Sequence, residues 1–237
     1  MTPEMTLYDY ELSADCYQAR LMLALLGLEY RRIDVEFHPG REHESEWFTQ
    51  LSPLNRLPVL QEGDLTVTDV HAVLLYLVTR HDGSGRWYPR DDPALLAAVN
   101  QWLGFARAFS ASAGAARLHD SFGEPTDVTA DRRTAHHLLR VLDDHLWFGE
   151  QEGRSWLCLG DAPTVADVAL FPEVALSEEG GVSRADYPAV RRWTDRVKRL
   201  DRFVAMSGVF PAGKGLPAPD RRPLQAAGAG GAAVRTK

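Results

Sequence analysis

The sequence predicts an α/β unit of order βαβαββα followed by an all-α unit, and three observations carry that prediction. Alternation of apolar and polar residues, the period of a half-buried strand, is confined to the N-terminal third, whereas helical spacing of apolar residues continues far beyond it. The run Ser52-Pro53-Leu54-Asn55-Arg56-Leu57-Pro58-Val59-Leu60 sets a proline directly ahead of a strand. Proline cannot donate to a sheet ladder, and one reason for such a placement is a cis peptide that exposes backbone groups to a ligand. Downstream, Asp161-Ala162-Pro163-Thr164-Val165-Ala166-Asp167 has the spacing of a capping box, with Thr164 and Asp167 opening a long apolar helix.

Taken in order, residues 6–10 are rich in β-formers, and residues 16–26 are dense in Ala, Leu, Met and Arg and stop at Gly27, a glycine C-terminal signal. Ile33, Val35 and Phe37 alternate with Asp34 and Glu36 as a second strand, and residues 44–51 form a short helix. Strand, helix and strand in succession need a crossover, so the first two strands are parallel. The tight turn Glu62-Gly63-Asp64 makes the next two antiparallel. Asp69 then caps a helix that begins Val70-His71-Ala72. The turn-rich, polar stretch from Asp82 to Pro93 is the linker, and helical patterns follow at 94–118, 130–147, 165–176 and 189–200. The expected division is therefore 1–82, linker 83–93, an all-helical domain 94–207, and a flexible basic tail 208–237 rich in Gly, Ala and Pro.

Composition narrows the function. A chain of 237 residues with a formal charge of −7 buries a real core and makes a poor partner for nucleic acid, which needs clustered Lys and Arg. No apolar run approaches the roughly 18 residues of a membrane span, and the N-terminus lacks the regions of a signal peptide. A cytoplasmic location follows, with the two cysteines, Cys16 and Cys158, reduced. Their spacing does not suit a metal, and the adjacent His136 and His137 diverge on a helix, so no metal is expected.

The βαβαββα order, the proline at Leu57-Pro58 and the Thr164-Val165-Ala166-Asp167 box together resemble the soluble glutathione S-transferases, whose N-terminal domain is thioredoxin-like and whose C-terminal domain is all helical. The run from Leu7 to Arg20 is most similar to the zeta and theta-related serine classes, in which a serine stands just before the first helix. Ser13 falls at that serine. Gly40-Arg41-Glu42-His43-Glu44-Ser45 is similar to a Gly-Glu-His-Lys-Ser stretch of several classes. The resemblance implies glutathione as co-substrate, a hydrophobic electrophile and a homodimer.

It also implies site residues. Ser13 would donate to a bound thiolate beside a helix N-terminus; it equally suits a plain helix cap. Tyr8, Tyr10 and Cys16 are rivals for the catalytic group. Leu57, held by a cis Pro58, would pair its backbone with the cysteinyl part of glutathione, and Arg41 and His43 would meet the glycyl carboxylate. At the γ-glutamyl end the family has Glu-Ser or Gln-Ser where this chain has Asp69-Val70, a departure that removes one hydroxyl. The electrophile would lie along the helix bearing Trp102, Phe105, Arg107, Phe109, Arg117 and His119, with Phe105, Phe109 and His119 lining the pocket. Two further functions remain open: a thiol-dependent cis-trans isomerase of a maleyl-type diacid, and a non-catalytic binding or scaffold protein.

Overall fold

The computed structural model describes residues 4–208. The expected basic tail, save Gly208, lies outside them. A four-stranded sheet, β1 (Met5–Asp9), β2 (Arg31–Asp34), β3 (Val59–Glu62) and β4 (Leu65–Val67), has the order β2-β1-β3-β4. β1 and β2 are parallel, while β1 with β3 and β3 with β4 are antiparallel. The second strand is shorter than its alternation suggested: it ends at Asp34, although Val35 N–H still donates to Asp9 O at 2.8 Å.

Helix α1 (Ala14–Leu26) crosses from β1 to β2 and stops where Gly27 takes φ +69°, a left-handed cap. A 3₁₀ turn (Glu42–Glu44) and α2 (Glu46–Leu51), capped by Ser45, replace the single short helix expected at 44–51. Helix α3 (Val70–His81) is capped by Asp69, whose side chain accepts from Ala72 N–H. The helical part comprises α4 (Pro93–Phe109), α5 (Ala115–Phe122), α6 (Val128–Gln151), α7 (Val165–Ala175) and α8 (Pro188–Val197).

The helix expected at 94–118 is not continuous. A π-turn at Ser110–Gly114 separates α4 from α5, and such bulges concentrate at functional sites. Gly114 permits the close packing there: a Cβ on it would stand 3.2 Å from Ser110 Oγ and 3.4 Å from Glu173 Oε2.

Helix α7 is the hub of the core. All its residues are buried, and it packs on α1, α3 and α4, so it joins the sheet unit to the helical unit. Its start is tightly specified: Asp167 accepts from Thr164 N–H at 2.9 Å, Leu157 N–H at 3.1 Å and the Trp193 indole at 2.9 Å. The stretch between α3 and α4 is anchored to the same point, since Val165 N–H donates to the carbonyl of buried Trp87 at 2.8 Å. No described helix is long and apolar enough to cross a membrane.

Candidate active site between the sheet and the helical wall

A cleft of about 630 Å³ opens between the start of α1, the loop before β3, the start of α3 and the wall formed by α4, the π-turn and α5. Ser13, Leu57 and Val70 all line it. The loop that presents Ser13 is fixed by two arginines. Arg20, itself clamped to fully buried Asp9, donates to Glu11 O at 2.9 Å, and Arg117 from α5 reaches Leu12 O at 2.8 Å.

Ser13 caps α1, its Oγ accepting from Cys16 N–H at 3.2 Å. Capping uses a lone pair and leaves the hydroxyl proton free, so the cap and a donor into the cleft are compatible in one group. Among the rivals, Tyr8 is turned away, its hydroxyl donating to Gln61 at 3.0 Å. Tyr10 lines the cleft, and burial pushes its phenol up, which keeps it a protonated donor. Cys16 is fully buried and accepts from Tyr10 N–H; burial and then the Asp9 charge push its thiol far above the ordinary range. A thiol so placed is inert.

The Leu57-Pro58 peptide is cis, and Leu57 sits just ahead of β3, outside its ladder. Asp69 spans two tasks, capping α3 and pairing with Arg107 of α4 at 3.0 Å. Burial would raise its carboxyl, but the Ala72 N–H and the Arg107 guanidinium outweigh that and hold it below the usual range.

The matching family model is the glutathione S-transferase N-terminal domain, over residues 3–79. A maleylacetoacetate isomerase of Pseudomonas aeruginosa is 31% identical over 208 residues, covering 81% of this chain and 90% of that one. The chain belongs to the soluble glutathione S-transferase family. A crystal structure of a glutathione S-transferase from Pseudomonas fluorescens superposes with a TM-score of 0.75 at 27% identity, covering 85% of this chain and 98% of that one. Ure2p in complex with glutathione shares the fold at a TM-score of 0.74 and 24% identity, with 85% and 97% covered. The thioredoxin-like sheet unit followed by helices is thus the fold of this chain.

Other expected residues fall elsewhere. Arg41 and His43 line an adjoining recess rather than the main cleft. Arg41 pairs with Glu44, and the His43 ring stacks on Phe37 at 4.1 Å with burial holding its imidazole below the ordinary range. The electrophile wall needs correction. Phe109 is fully buried in the core, Phe105 packs against Trp102 at 4.9 Å, and His119 is bonded to Glu124 O at 2.9 Å; none lines the cleft. The inward face carries the small residues Ala106, Ser110, Ala111, Gly114 and Ala115 together with Leu118, Phe122 and the expected Arg107 and Arg117. Aromatics at helical spacing pack into the core here, as such stripes usually do.

Sequence reasoning did not assign His71, Gln18 or Glu173 to the site, yet all line the cleft, as does Asp15. His71 follows Val70 in the first turn of α3; burial, then Arg107, lowers its imidazole to about 4, so it is neutral at physiological pH. Glu173 had one visible sign, a carboxylate within the apolar run that follows Asp167 in α7. Among the described residues no group of His, Cys, Asp and Glu is arranged to hold a metal ion.

Proposed function

We propose that this transferase activates glutathione as a thiolate at Ser13 and directs it at an electrophile held against the wall of α4, the π-turn and α5. The observation that carries the proposal is the convergence on one cleft of Ser13, Leu57 and the first residues of α3.

A free thiol has a pKa of about 8.5, and lowering it by two units requires about 2.7 kcal/mol of preference for the thiolate. A hydrogen bond to a charged group supplies about 1.5–3 kcal/mol, and a helix N-terminus adds about 0.3–1 kcal/mol. Ser13 at the head of α1 offers both. The Leu57 N–H and C=O would hold the cysteinyl unit in strand fashion, and Asp69 would share its carboxylate between Arg107 and the γ-glutamyl ammonium. Arg41 and His43 are proposed for the glycyl carboxylate, reached through the adjoining recess. In the reaction the thiol proton passes to solvent, the sulfur forms a bond to the electrophilic carbon, and the leaving group departs with its electron pair.

The similarity to a maleylacetoacetate isomerase favours a second reading, in which the thiol adds to a maleyl-type diacid, the bond rotates and the thiol leaves. Asp15 and Glu173 on the cleft oppose a dicarboxylate there. We also propose a homodimer working in the cytoplasm; sedimentation at micromolar concentration tests the dimer, a monomer being the adverse result. Calorimetric titration with glutathione tests the thiol site. No heat at millimolar glutathione would sink both enzyme readings and leave a scaffold. If glutathione binds, turnover of a maleyl-type diacid compared with a panel of aryl halides, epoxides and enals decides between them.

A further inference from the structure

Helix α7 carries two carboxylates in an otherwise apolar sequence, and their surroundings differ sharply. Asp167 is saturated by N–H donors. Glu173, 4% exposed, faces the cleft and lies near Asp15 from the first turn of α1, with Gln18 bridging them. The Gln18 Nε2 stands 3.2 Å from Asp15 Oδ1 and 3.3 Å from Glu173 Oε1. The Gln18 Oε1 is buried with no partner, on a residue 1% exposed.

Acceptors therefore outnumber donors. Two carboxyls and an amide oxygen meet one amide nitrogen and the Ser110 hydroxyl. Neither carboxyl forms an ion pair with a Lys, Arg or His among the described residues, and two of the nearby arginines are engaged elsewhere. Arg107 holds Asp69 at 3.0 Å, and Arg117 holds Glu179 at 2.6 Å and Leu12 O at 2.8 Å. Arg56 lines the cleft as well and acts on Asp15, but it is exposed to solvent and pairs with neither carboxyl. The π-turn packs closely on Glu173 through Ser110 and Gly114, and the carboxyl reaches the cleft beside them.

From this donor deficit we propose that the Asp15, Gln18 and Glu173 end of the cleft binds the protonated nitrogen of an organic cation, an ammonium or amidinium carried on an apolar body. The nitrogen's hydrogens go to the two carboxyls and Gln18 Oε1, and the body lies along Ala106, Ala111 and Leu118. As a substrate class for the electrophile this rests on the thiol-transfer proposal; as a binding site it does not.

Without such a ligand the pair meets its shortage by retaining a proton. Burial pushes both carboxyls up, and the Asp15 charge adds to the rise at Glu173. Arg107, Arg56 and Asp69 also act on Asp15, and Arg117, paired with Glu179, acts on Glu173. His71, held down by burial, stays neutral at and above neutral pH. Cation binding displaces the shared proton, so affinity rises with pH as the pair ionises.

The test is calorimetric titration of the full chain, with no thiol present, using phenylbutylamine and the neutral phenylbutanol. Measurements at neutral pH in two buffers of different ionisation enthalpy count protons released. The amine is expected to bind about tenfold or more tightly than the alcohol, the yield of one charge-assisted hydrogen bond, and to release protons. Its advantage is expected to shrink as the pH is lowered and in Glu173→Gln, with Asp15→Asn as the second variant should the first not fold. Equal affinities, tight amine binding without proton release, or an advantage untouched by the folded variant would overturn the proposal. Because no thiol is present, failure leaves glutathione binding untouched, and failure of glutathione to bind leaves the amine result intact.

Discussion

Replacing Ser13 by alanine and, separately, by glycine distinguishes its two tasks. The Ser13 Oγ accepts the Cys16 N–H at 3.2 Å, so alanine removes a cap and costs about 1 kcal/mol, whereas glycine at an N-cap costs only a few tenths. In a chain of this size 1 kcal/mol lowers Tm by about 2–4 °C. Both substitutions remove the hydroxyl. If that hydroxyl donates to the bound thiolate, each loses a charged hydrogen bond of about 1.5–3 kcal/mol and raises the bound thiol's pKa by about 1–2 units. The α1 terminus persists in both, so activation falls without vanishing. The assay is the ultraviolet absorbance of the glutathione thiolate in the complex, titrated against pH beside thermal melts. Expected are equal rises in thiol pKa for the two variants, a lowered Tm for alanine alone, and recovery in Ser13→Thr. A thiol pKa unchanged in both variants would refute the donor role and leave Ser13 as a cap.

Val70→Ser puts a hydroxyl at the first residue of α3, on the cleft; one added hydrogen bond of about 1 kcal/mol predicts roughly fivefold tighter glutathione by calorimetry. No gain would place the γ-glutamyl end elsewhere. Cys16, fully buried with its thiol pushed up, should resist iodoacetamide in the native protein and react only after unfolding in urea; rapid native labelling would restore it as a nucleophile candidate. His71 titrates at about 4 in the fold against about 6.5 unfolded, so the unfolded chain binds more protons between those values and stability falls as pH drops through that window. Urea titrations should show that slope flattened in His71→Gln, and an unchanged slope would assign it to other groups.

The elements that sequence made legible are those announced by local chemistry. Gly27 ends α1, Asp69 opens α3, and the Thr164 and Asp167 box opens α7; each acts within one helical turn, where side-chain type nearly dictates geometry. The hairpin of β3 and β4 was legible for the same reason. The pairing of β1 with β3 was not, since it joins residues far apart in the chain. The break between α4 and α5 was hidden because Ser110-Ala111-Ser112-Ala113-Gly114 contains no proline, and a single glycine is tolerated inside a helix. Phe105, Phe109 and His119 were misplaced for a related reason: periodicity shows that a helix has an apolar face, while the partners of that face are set by tertiary packing.

The same distinction separates the two ends of the cleft. Ser13 and Val70 stand at the starts of α1 and α3, so the end proposed for the thiol is built from helix N-termini, whose free N–H groups and positive dipole ends favour an anion. Asp15 belongs to that first turn as well, and its carboxylate competes with a thiolate for the same field. Glu173, arriving from α7, lets the pair share a proton and so weakens that competition. An ammonium bound at the pair would displace that proton, one positive charge replacing another, so the net charge beside the thiolate stays the same. Where the pair holds its proton, glutathione and a cationic electrophile should therefore bind nearly independently; at a pH high enough to ionise the pair fully the ammonium adds a charge, and each ligand should then tighten the other by the same factor, as linkage requires. Titrating phenylbutylamine with and without saturating glutathione across that pH range measures the factor, and a factor that did not rise with pH would refute the exchange of proton for ammonium.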